Sequence, residues 1–178
     1  STAGAVWTNP NGSPIRAVLN ISGDPRSQTY VRAFYPAADG QFWIALNGPG
    51  LARYDPATQT VTSFATALEQ AVDGVASATS SRPTGTVPRT FTHAENQDIR
   101  IFGILPDADG TLLLPSNRGI LRFDPATGKA GYLELDGKPA TTPARALFRA
   151  SNGDLWLAPF DAGLIHYHDG KLAQRFNK

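Results

Sequence analysis

Residues 50–58 read GLARYDPAT, and residues 119–127 read GILRFDPAT. A third version, GLIHYHDG, occupies residues 163–170 and keeps the glycine, the apolar pair and the aromatic residue. The leading glycine therefore recurs at positions 50, 119 and 163, at intervals of 69 and 44 residues. A repeat of about 40–50 residues is typical of the blades of a β-propeller.

A second phrase precedes each copy at a nearly constant distance. It reads DGQFWIA at residues 39–45, DGTLLL at 109–114 and NGDLWLA at 152–158. A short apolar run lies upstream of each one, at residues 30–35, 99–105 and 144–149. Each unit thus contains several segments of strand length separated by turn residues.

The first complete unit predicts four strands, at about residues 30–35, 41–46, 51–54 and 61–65. A glycine in the first hairpin accepts positive φ at no steric cost, and an Asp-Pro pair opens the turn after the third strand. Four antiparallel strands per unit, without helical periodicity, predict an all-β fold of the β-propeller class.

The longer interval and the amino terminus extend this pattern. The 69-residue unit contains an insertion rich in Ala, Ser, Thr and Pro, with a helical turn predicted at residues 65–72. Residues 4–10, GAVWTNP, repeat the step from glycine to proline 46 residues before the glycine at position 50. We therefore predict about three and a half four-stranded blades of a larger ring. They divide into 1–29, the second half of a preceding blade and its connection; 30–66, a blade; 67–98, an inserted loop; 99–136, a blade; and 137–178, a blade.

The composition excludes several classes of protein. Of 178 residues, 41% are hydrophobic and 17% charged, and the net charge is +1, so disorder is not expected. The chain has no run of basic residues, and we expect no nucleic-acid partner. Cysteine is absent, which excludes disulfides and thiolate ligands, and no apolar run approaches the roughly 20 residues of a membrane span. Because methionine is absent too, we expect a processed or excised piece of a longer protein.

The two phrases together resemble the two-component regulator propeller repeat, in which a D-G-x-L-W-(I/L)-(G/A)-T segment precedes G-G-L-x-x-Y/F-D. Residues 39–45 with 50–55, and residues 153–158 with 163–167, follow this pattern, while Leu113 replaces the tryptophan of the middle unit. The resemblance implies the periplasmic or other extracytoplasmic sensor region of a bacterial membrane-anchored receptor with a histidine kinase or diguanylate cyclase output. We therefore expect a ligand-sensing segment without catalysis of its own and without a cofactor.

Two alternatives stay open. The same phrases resemble the streptogramin lyase propeller, which shares a D-G-x-x-W-F-T segment and a later D-P-x-T-G turn; residues 124–128, DPATG, fit that turn. However, Ile or Leu follows the aromatic position here, and no catalytic histidine stands in a matching loop. The second alternative is a propeller scaffold for protein–protein interaction or dimerisation.

The tryptophans and histidines have both a functional and a structural interpretation. Trp43 and Trp156 could stack on sugars, but their repeated place in the second strand predicts a core between blades. His166 and His168 lie two residues apart and face the same side of a strand, so with His93 they could bind a metal. The sister repeats have arginine at the position of His166, which favours a solvent-exposed outer strand.

The acidic residues of the turns are expected to cap their own backbones rather than to converge as an acid–base pair. These residues are Asp39, Asp55, Asp109 and Asp124. The sequence contains no nucleophile-elbow, phosphate-loop or zinc-protease motif. We therefore predict no catalytic residue and no metal ligand.

The loops between the second and third strands mark the candidate binding face. They open on the same face as the blade connections, and they differ between repeats while the first hairpins stay nearly identical. Variable loops on a rigid scaffold are where binding residues concentrate. We predict that a small molecule or glycan binds Asn47, Asn117, Arg118, Phe160 and Asp161.

Three and a half blades do not close a ring, since propellers typically have four to eight. Open strand edges and apolar blade faces would then be exposed. We therefore expect the rest of the propeller, or another chain, to complete the ring.

Overall fold

A computed structural model describes residues 30–48, 50–79 and 99–176. The half blade predicted at residues 1–29 and His93 lie outside these ranges. Within them, three four-stranded antiparallel sheets follow one another along the chain, each with its strands in sequence order. These sheets are blades of a β-propeller, which confirms the predicted fold class.

The strand bounds are as follows. The first blade contains β1 (Val31–Pro36), β2 (Phe42–Leu46), β3 (Leu51–Asp55) and β4 (Thr60–Ser63). The second blade contains β5 (Leu105–Pro106), β6 (Leu112–Ser116), β7 (Gly119–Asp124) and β8 (Lys129–Tyr132). A small hairpin of β9 (Glu134–Leu135) and β10 (Lys138–Pro139) precedes the third blade. That blade contains β11 (Ala144–Arg149), β12 (Leu155–Pro159), β13 (Leu164–His168) and β14 (Lys171–Phe176).

Each blade has two distinct ends because its strands alternate in direction. The hairpin end holds the turns between the first and second strands, where Gly40, Gly110 and Gly153 have φ of 81°, 84° and 91°. The loop end holds the connections from the second to the third strand and from one blade to the next. Glycine is required in these hairpins because other residues rarely adopt such φ values.

Each blade also has a forward face, which contacts the next blade along the chain. On the first blade this face carries Trp43, Ala45 and Leu51, all buried. They contact apolar residues of the second blade, which are Leu112, Leu114, Leu121 and Phe123. The ring of Trp43 lies 5.3 Å from that of Phe123, in an edge-to-face arrangement that favours aromatic pairs. The prediction that Trp43 belongs to the core between blades is confirmed.

The second and third blades pack in the same way. Leu113 and Ile120, at the positions of Trp43 and Leu51, contact Leu155, Leu157 and Ile165 of the third blade. Leucine therefore fills the second interface with a smaller side chain than the tryptophan of the first. The forward face of the third blade carries Trp156 and Leu164, neither of which belongs to a buried cluster of the described residues.

The predicted insertion begins with a helix, α1 (Ala65–Thr79), longer than the turn predicted at residues 65–72. It packs against β8 and β3, and Leu68 is fully buried in the interface of the first two blades. Gly50 allows this close approach, because a Cβ atom there would lie 2.7 Å from Leu68 Cδ1. No helix in the described ranges combines the length and apolarity needed to cross a membrane.

Among the described glycines, Gly119 has the least space for a Cβ atom. It has φ of 120°, and a Cβ atom there would lie 2.2 Å from the carbonyl oxygen of Ala140. Ile120 N–H donates to this same oxygen at 2.9 Å, so Ala140 cannot move away without losing a hydrogen bond. The glycine of the repeated phrase thus lets the β10–β11 connection cross the start of β7.

We predict that Gly119→Ala destabilises the protein by about 3 kcal/mol, at the upper end of ordinary single-residue effects. The control is Gly110→Ala, where φ is 84° but no atom lies within 4 Å of the added Cβ. The unfolding free energy of Gly110→Ala should fall only by the cost of placing alanine in a left-handed conformation, about 1–2 kcal/mol. Urea unfolding monitored by tryptophan fluorescence measures both, and equal losses would show that the contact with Ala140 is unimportant.

Candidate functional site

Three of the predicted binding residues occupy one equivalent position at the loop end. Asn47, Asn117 and Phe160 each follow directly after the second strand of their blade. In every blade the backbone N–H at this position donates to a carbonyl that precedes the first strand. The acceptors are Tyr30 at 2.9 Å, Arg100 at 3.2 Å and Pro143 at 3.3 Å. This repeated hydrogen bond holds the start of each loop against its own blade.

A second set of equivalent residues lies beside these loops. The pairing of β1 with β2 shifts at Arg32, and the pairing of β11 with β12 shifts at Arg145. Phe102 has the same place in the second blade, where Ile101 pairs with Ser116 and Phe102 N–H donates to Pro115. A β-bulge changes the direction of the side chain of its extra residue. In this protein the residues at these positions lie at the loop end.

These side chains form one row across three blades. The guanidinium carbon of Arg32 lies 5.8 Å from the ring centre of Phe102, which lies 5.2 Å from the ring centre of Phe160. Arg145 completes the row, with its guanidinium carbon 4.3 Å from the centre of the Phe160 ring. We call Arg32, Phe102, Phe160 and Arg145 the arginine–phenylalanine row. Each cation–ring contact contributes about 0.5–1 kcal/mol at an exposed site, so the row contributes little to stability.

The other predicted binding residues lie at the loop end outside this row. Asn117 Oδ1 accepts a hydrogen bond from Arg100 N–H at 2.8 Å, so this side chain fastens its own loop. Arg118 N–H donates to Ser116 Oγ at 3.0 Å. Asn47 Oδ1 is buried without a hydrogen-bond partner in the described residues, and Asp161 is exposed. Of the five predicted residues, only Phe160 belongs to the row, and ligand contact at all five stays a prediction.

At the hairpin end, the turn aspartates cap backbone groups as predicted. Asp39 accepts from Gln41 N–H at 3.1 Å, and Asp109 accepts from Thr111 N–H at 3.0 Å. Asp55 and Asp124 accept in the same way from the N–H of Ala57 and Ala126, both at 2.8 Å.

Two of these aspartates also form ion pairs across the sheet, Asp39 with Arg53 and Asp109 with Arg122. These ion pairs were not expected from the sequence. The two hydrogen bonds from Thr111, together with Arg122, lower the pKa of Asp109.

The third blade has a different charged cluster at this end. Asp154 is buried, and its two carboxylate oxygens lie 2.6 Å from His166 Nε2 and 2.6 Å from His168 Nδ1. His166 pairs with Trp156 in the register, as Arg53 pairs with Trp43, and its ring stacks on the indole at 4.2 Å. The two histidines face one side of the sheet, as predicted, but they lie on the third strand of the blade rather than on its outer strand, β14.

The hydrogen bonds of the Asp154 cluster shift the pKa values of Asp154 and His168. Hydrogen bonds from His168 and His166 lower the pKa of Asp154 to about 2, and the hydrogen bond to Asp154 raises the pKa of His168. The described residues contain no group of three or more His, Cys, Asp or Glu arranged to hold a metal. His93, the third ligand of the metal hypothesis, lies outside these residues. The arrangement favours an ion pair that stabilises the blade.

The Asp154 cluster predicts a pH dependence of stability. Because the pKa of His168 is higher in the folded state, its contribution is complete below the ordinary value of 6.5 and is lost as the pH rises through the raised pKa. The contribution of Asp154 is present above 3.8 and is lost as the pH falls towards about 2. Stability from this cluster should therefore be greatest between about pH 4 and about pH 6.5.

The measurement is urea unfolding at several pH values between about 5.5 and about 9. The unfolding free energy should decrease over this range in the wild-type protein and change less in His168→Gln. If His168→Gln keeps the wild-type slope, the proposed ion pair does not contribute to folding.

Comparison with solved structures supports the β-propeller fold. No protein-family model matches the chain, and no curated protein matches it. Among solved structures, an extracellular domain from B. thetaiotaomicron assigned to a hybrid two-component system matches with a TM-score of 0.54 at 18% identity. That match covers 84% of this chain and 16% of the other. A Bacteroides caccae protein of unknown function matches with a TM-score of 0.54 at 14% identity, over 99% of this chain and 54% of the other.

A third structure is relevant to the enzyme alternative. Virginiamycin B lyase from Staphylococcus aureus matches at 14% identity with a TM-score of 0.46, over 82% of this chain and 43% of the lyase. A similarity this low does not bear on activity. The chain thus spans only part of each of these three structures, and the comparisons agree with its β-propeller architecture.

Proposed function

We propose that this chain forms three blades of the extracytoplasmic sensor propeller of a bacterial membrane-bound signalling receptor, and that its loop end binds a small molecule or glycan without catalysis. The observation that carries this proposal is the arginine–phenylalanine row. It joins side chains of three separate blades at the end where the loops differ most between repeats. A ligand that bridges these blades would contact all three at once.

Two further observations support the proposal. An extracellular domain from B. thetaiotaomicron assigned to a hybrid two-component system shares the fold, which agrees with the resemblance to the two-component regulator propeller repeat. Asn47 Oδ1 is a buried acceptor without a partner in the described residues, and such a group costs about 1–3 kcal/mol until a donor satisfies it. A ligand hydroxyl or amide at the loop end could donate to it.

The lyase alternative has no supporting site in the described residues. The histidines there, His166 and His168, both contact Asp154 at the hairpin end of the third blade. They lie away from the variable loops, where a substrate is expected. We therefore favour binding over catalysis.

The test is a ligand-binding screen of the wild-type protein, repeated with the Phe160→Ala variant. We expect at least one member of a panel of oligosaccharides and small metabolites to bind in calorimetry, and Phe160→Ala to weaken it at least about fivefold, as for a stacked ring worth about 1 kcal/mol. Phe34→Ala is the control, because Phe34 is 63% exposed and lies outside the row. Affinities unchanged by Phe160→Ala, or a panel without any binder, would contradict a loop-end site.

We also propose that the forward face of the third blade is covered by another blade, from the rest of the propeller or from another chain. Its large apolar side chains are more exposed than those at the equivalent positions of the first blade. Trp43 is 3% exposed where Trp156 is half-buried, and Leu51 is fully buried where Leu164 is 38% exposed. Phe148, which pairs with Trp156 as Tyr35 pairs with Trp43, is 63% exposed.

The partner expected on this face is a sheet with alternating leucines, like the face that the second blade presents to Trp43. Fully burying a Leu or Phe side chain contributes about 1.5–3 kcal/mol, so covering the exposed parts of these three residues would favour the contact. A partner sheet on this face is compatible with a scaffold for protein–protein interaction as well as with a sensor propeller.

In sedimentation velocity, we expect the chain to self-associate through this exposed face. Phe148→Glu with Leu164→Glu should weaken the association at least about tenfold, because a buried unpaired carboxylate is costly. Ala57→Glu with Ala126→Glu introduces the same two charges at exposed turns, outside the faces of the blades, and should have little effect. A chain that stays monomeric at high concentration and binds no hydrophobic dye would argue against an uncovered face.

A further inference from the structure

We propose that the ligand of the loop end is anionic, a small molecule or oligosaccharide whose carboxylate, sulfate or phosphate groups bind Arg32, Arg100 and Arg145. This inference rests on the ligand-binding function proposed above and adds the charge of the ligand to it. Three observations carry it: the pairing of arginines at the two ends of the blades, the charge of the loops, and the geometry of the row.

The arginines at the two ends differ in their partners. At the hairpin end, Arg53 and Arg122 are neutralised by turn aspartates, and Arg149 Nη2 lies 3.0 Å from Asp107 Oδ1. At the loop end, none of Arg32, Arg100 and Arg145 forms an ion pair within the described part of the chain. All three are exposed. The same repeats therefore supply a carboxylate to Arg53, Arg122 and Arg149 at one end, whereas Arg32, Arg100 and Arg145 have none among the described residues.

The loops themselves supply little negative charge. The connections from second to third strands, residues 47–50, 117–118 and 160–163, contain one carboxylate, Asp161. Asp161 is exposed and belongs to no ion pair in the described ranges. These three loops therefore supply few carboxylates that could neutralise the arginines of the loop end.

The row leaves its guanidinium groups able to bind. The guanidinium carbons of Arg145 and Arg32 lie 4.3 Å and 5.8 Å from the centres of phenyl rings. A guanidinium that stacks on a ring keeps its in-plane N–H donors available. A planar fork of donors matches the two oxygens of a carboxylate or sulfate. Contact with a ring also restricts the arginine before binding, so less side-chain entropy is lost when an anion arrives.

The order of the row indicates the shape of the ligand. Two cations flank two phenyl rings, and Arg100 lies two residues before Phe102. A ligand with negative groups towards both ends and a flat or apolar middle would use every member of the row. Neutral ligands of the same shape would leave the arginines solvated and gain only the ring contacts.

The test uses three anions as probes, namely inorganic sulfate, citrate and trigalacturonate, with methyl-esterified trigalacturonate as the neutral match. Binding is measured by calorimetry at constant ionic strength, since exposed charges are screened by salt. The test variant is Arg32→Gln with Arg145→Gln. Arg53→Gln with Arg122→Gln removes the same charge from the hairpin end and serves as the control. Circular dichroism establishes that both variants fold.

We expect at least one of the three anions to bind, and the affinity to fall at least about tenfold in the loop-end variant while the hairpin-end variant stays within about twofold. Sulfate binding alone would assign a free inorganic anion, and trigalacturonate binding that esterification abolishes would assign an acidic saccharide. The anionic class is overturned if no anion binds, or if binding is equal in both variants. If neutral panel members then still bind and depend on Phe160, the ligand-binding function stands; if nothing binds, that function fails as well.

Discussion

Contact between the forward face of one blade and the next is the constraint on which the rest of the structure depends. A four-stranded sheet has two faces, and the first blade buries Trp43 only because Leu112, Leu114 and Phe123 of the second blade cover it. Phe64, at the end of the first blade, joins Trp43 and Phe123 with ring centres 4.9–5.4 Å apart. Since dense packing of this kind fixes the angle between neighbouring sheets, it also fixes which loops come together at the loop end. The arginine–phenylalanine row exists because of this packing, as its members come from three different blades.

Arginines have different partners at the two ends of the blades. At the hairpin end, aspartates satisfy the turns and pair with arginines, so the charges there are internally neutralised. The third blade replaces this pair: Asn152 stands at the position of the turn aspartate, and the carboxylate moves two residues on to Asp154, which is shared by two histidines. At the loop end, Arg32 and Arg145 instead lie beside aromatic rings. The same residue type is therefore paired with carboxylates at one end and with phenyl rings at the other.

Much of this fold could be predicted because the repeats are short and local. A strand, a glycine hairpin and an Asp-Pro turn each depend on a few neighbouring residues, and the recurrence of the phrase showed how often they occur. The buried position of Trp43 followed from its recurrence as well. The candidate site was less accessible to this reasoning. Asn117 is predicted to bind a ligand because it is polar and lies in a variable loop. In the structure its side-chain oxygen instead accepts a hydrogen bond from Arg100 N–H. The spacing of residues does not distinguish a side chain that fastens a loop from one that faces a ligand.

The sequence by itself determined the number and kind of complete blades, their turns and the place of the variable loops, because these depend on interactions within about 45 residues. Only the tertiary structure decided which side chains of different blades meet. Arg32, Phe102 and Phe160 are far apart in the chain, and their contact depends on the twist of each sheet and the angle of each interface. The same holds for helix α1, whose Leu68 enters the first interface beside Gly50. Long-range packing chooses among partners that local patterns leave equivalent, and no single repeat contains that information.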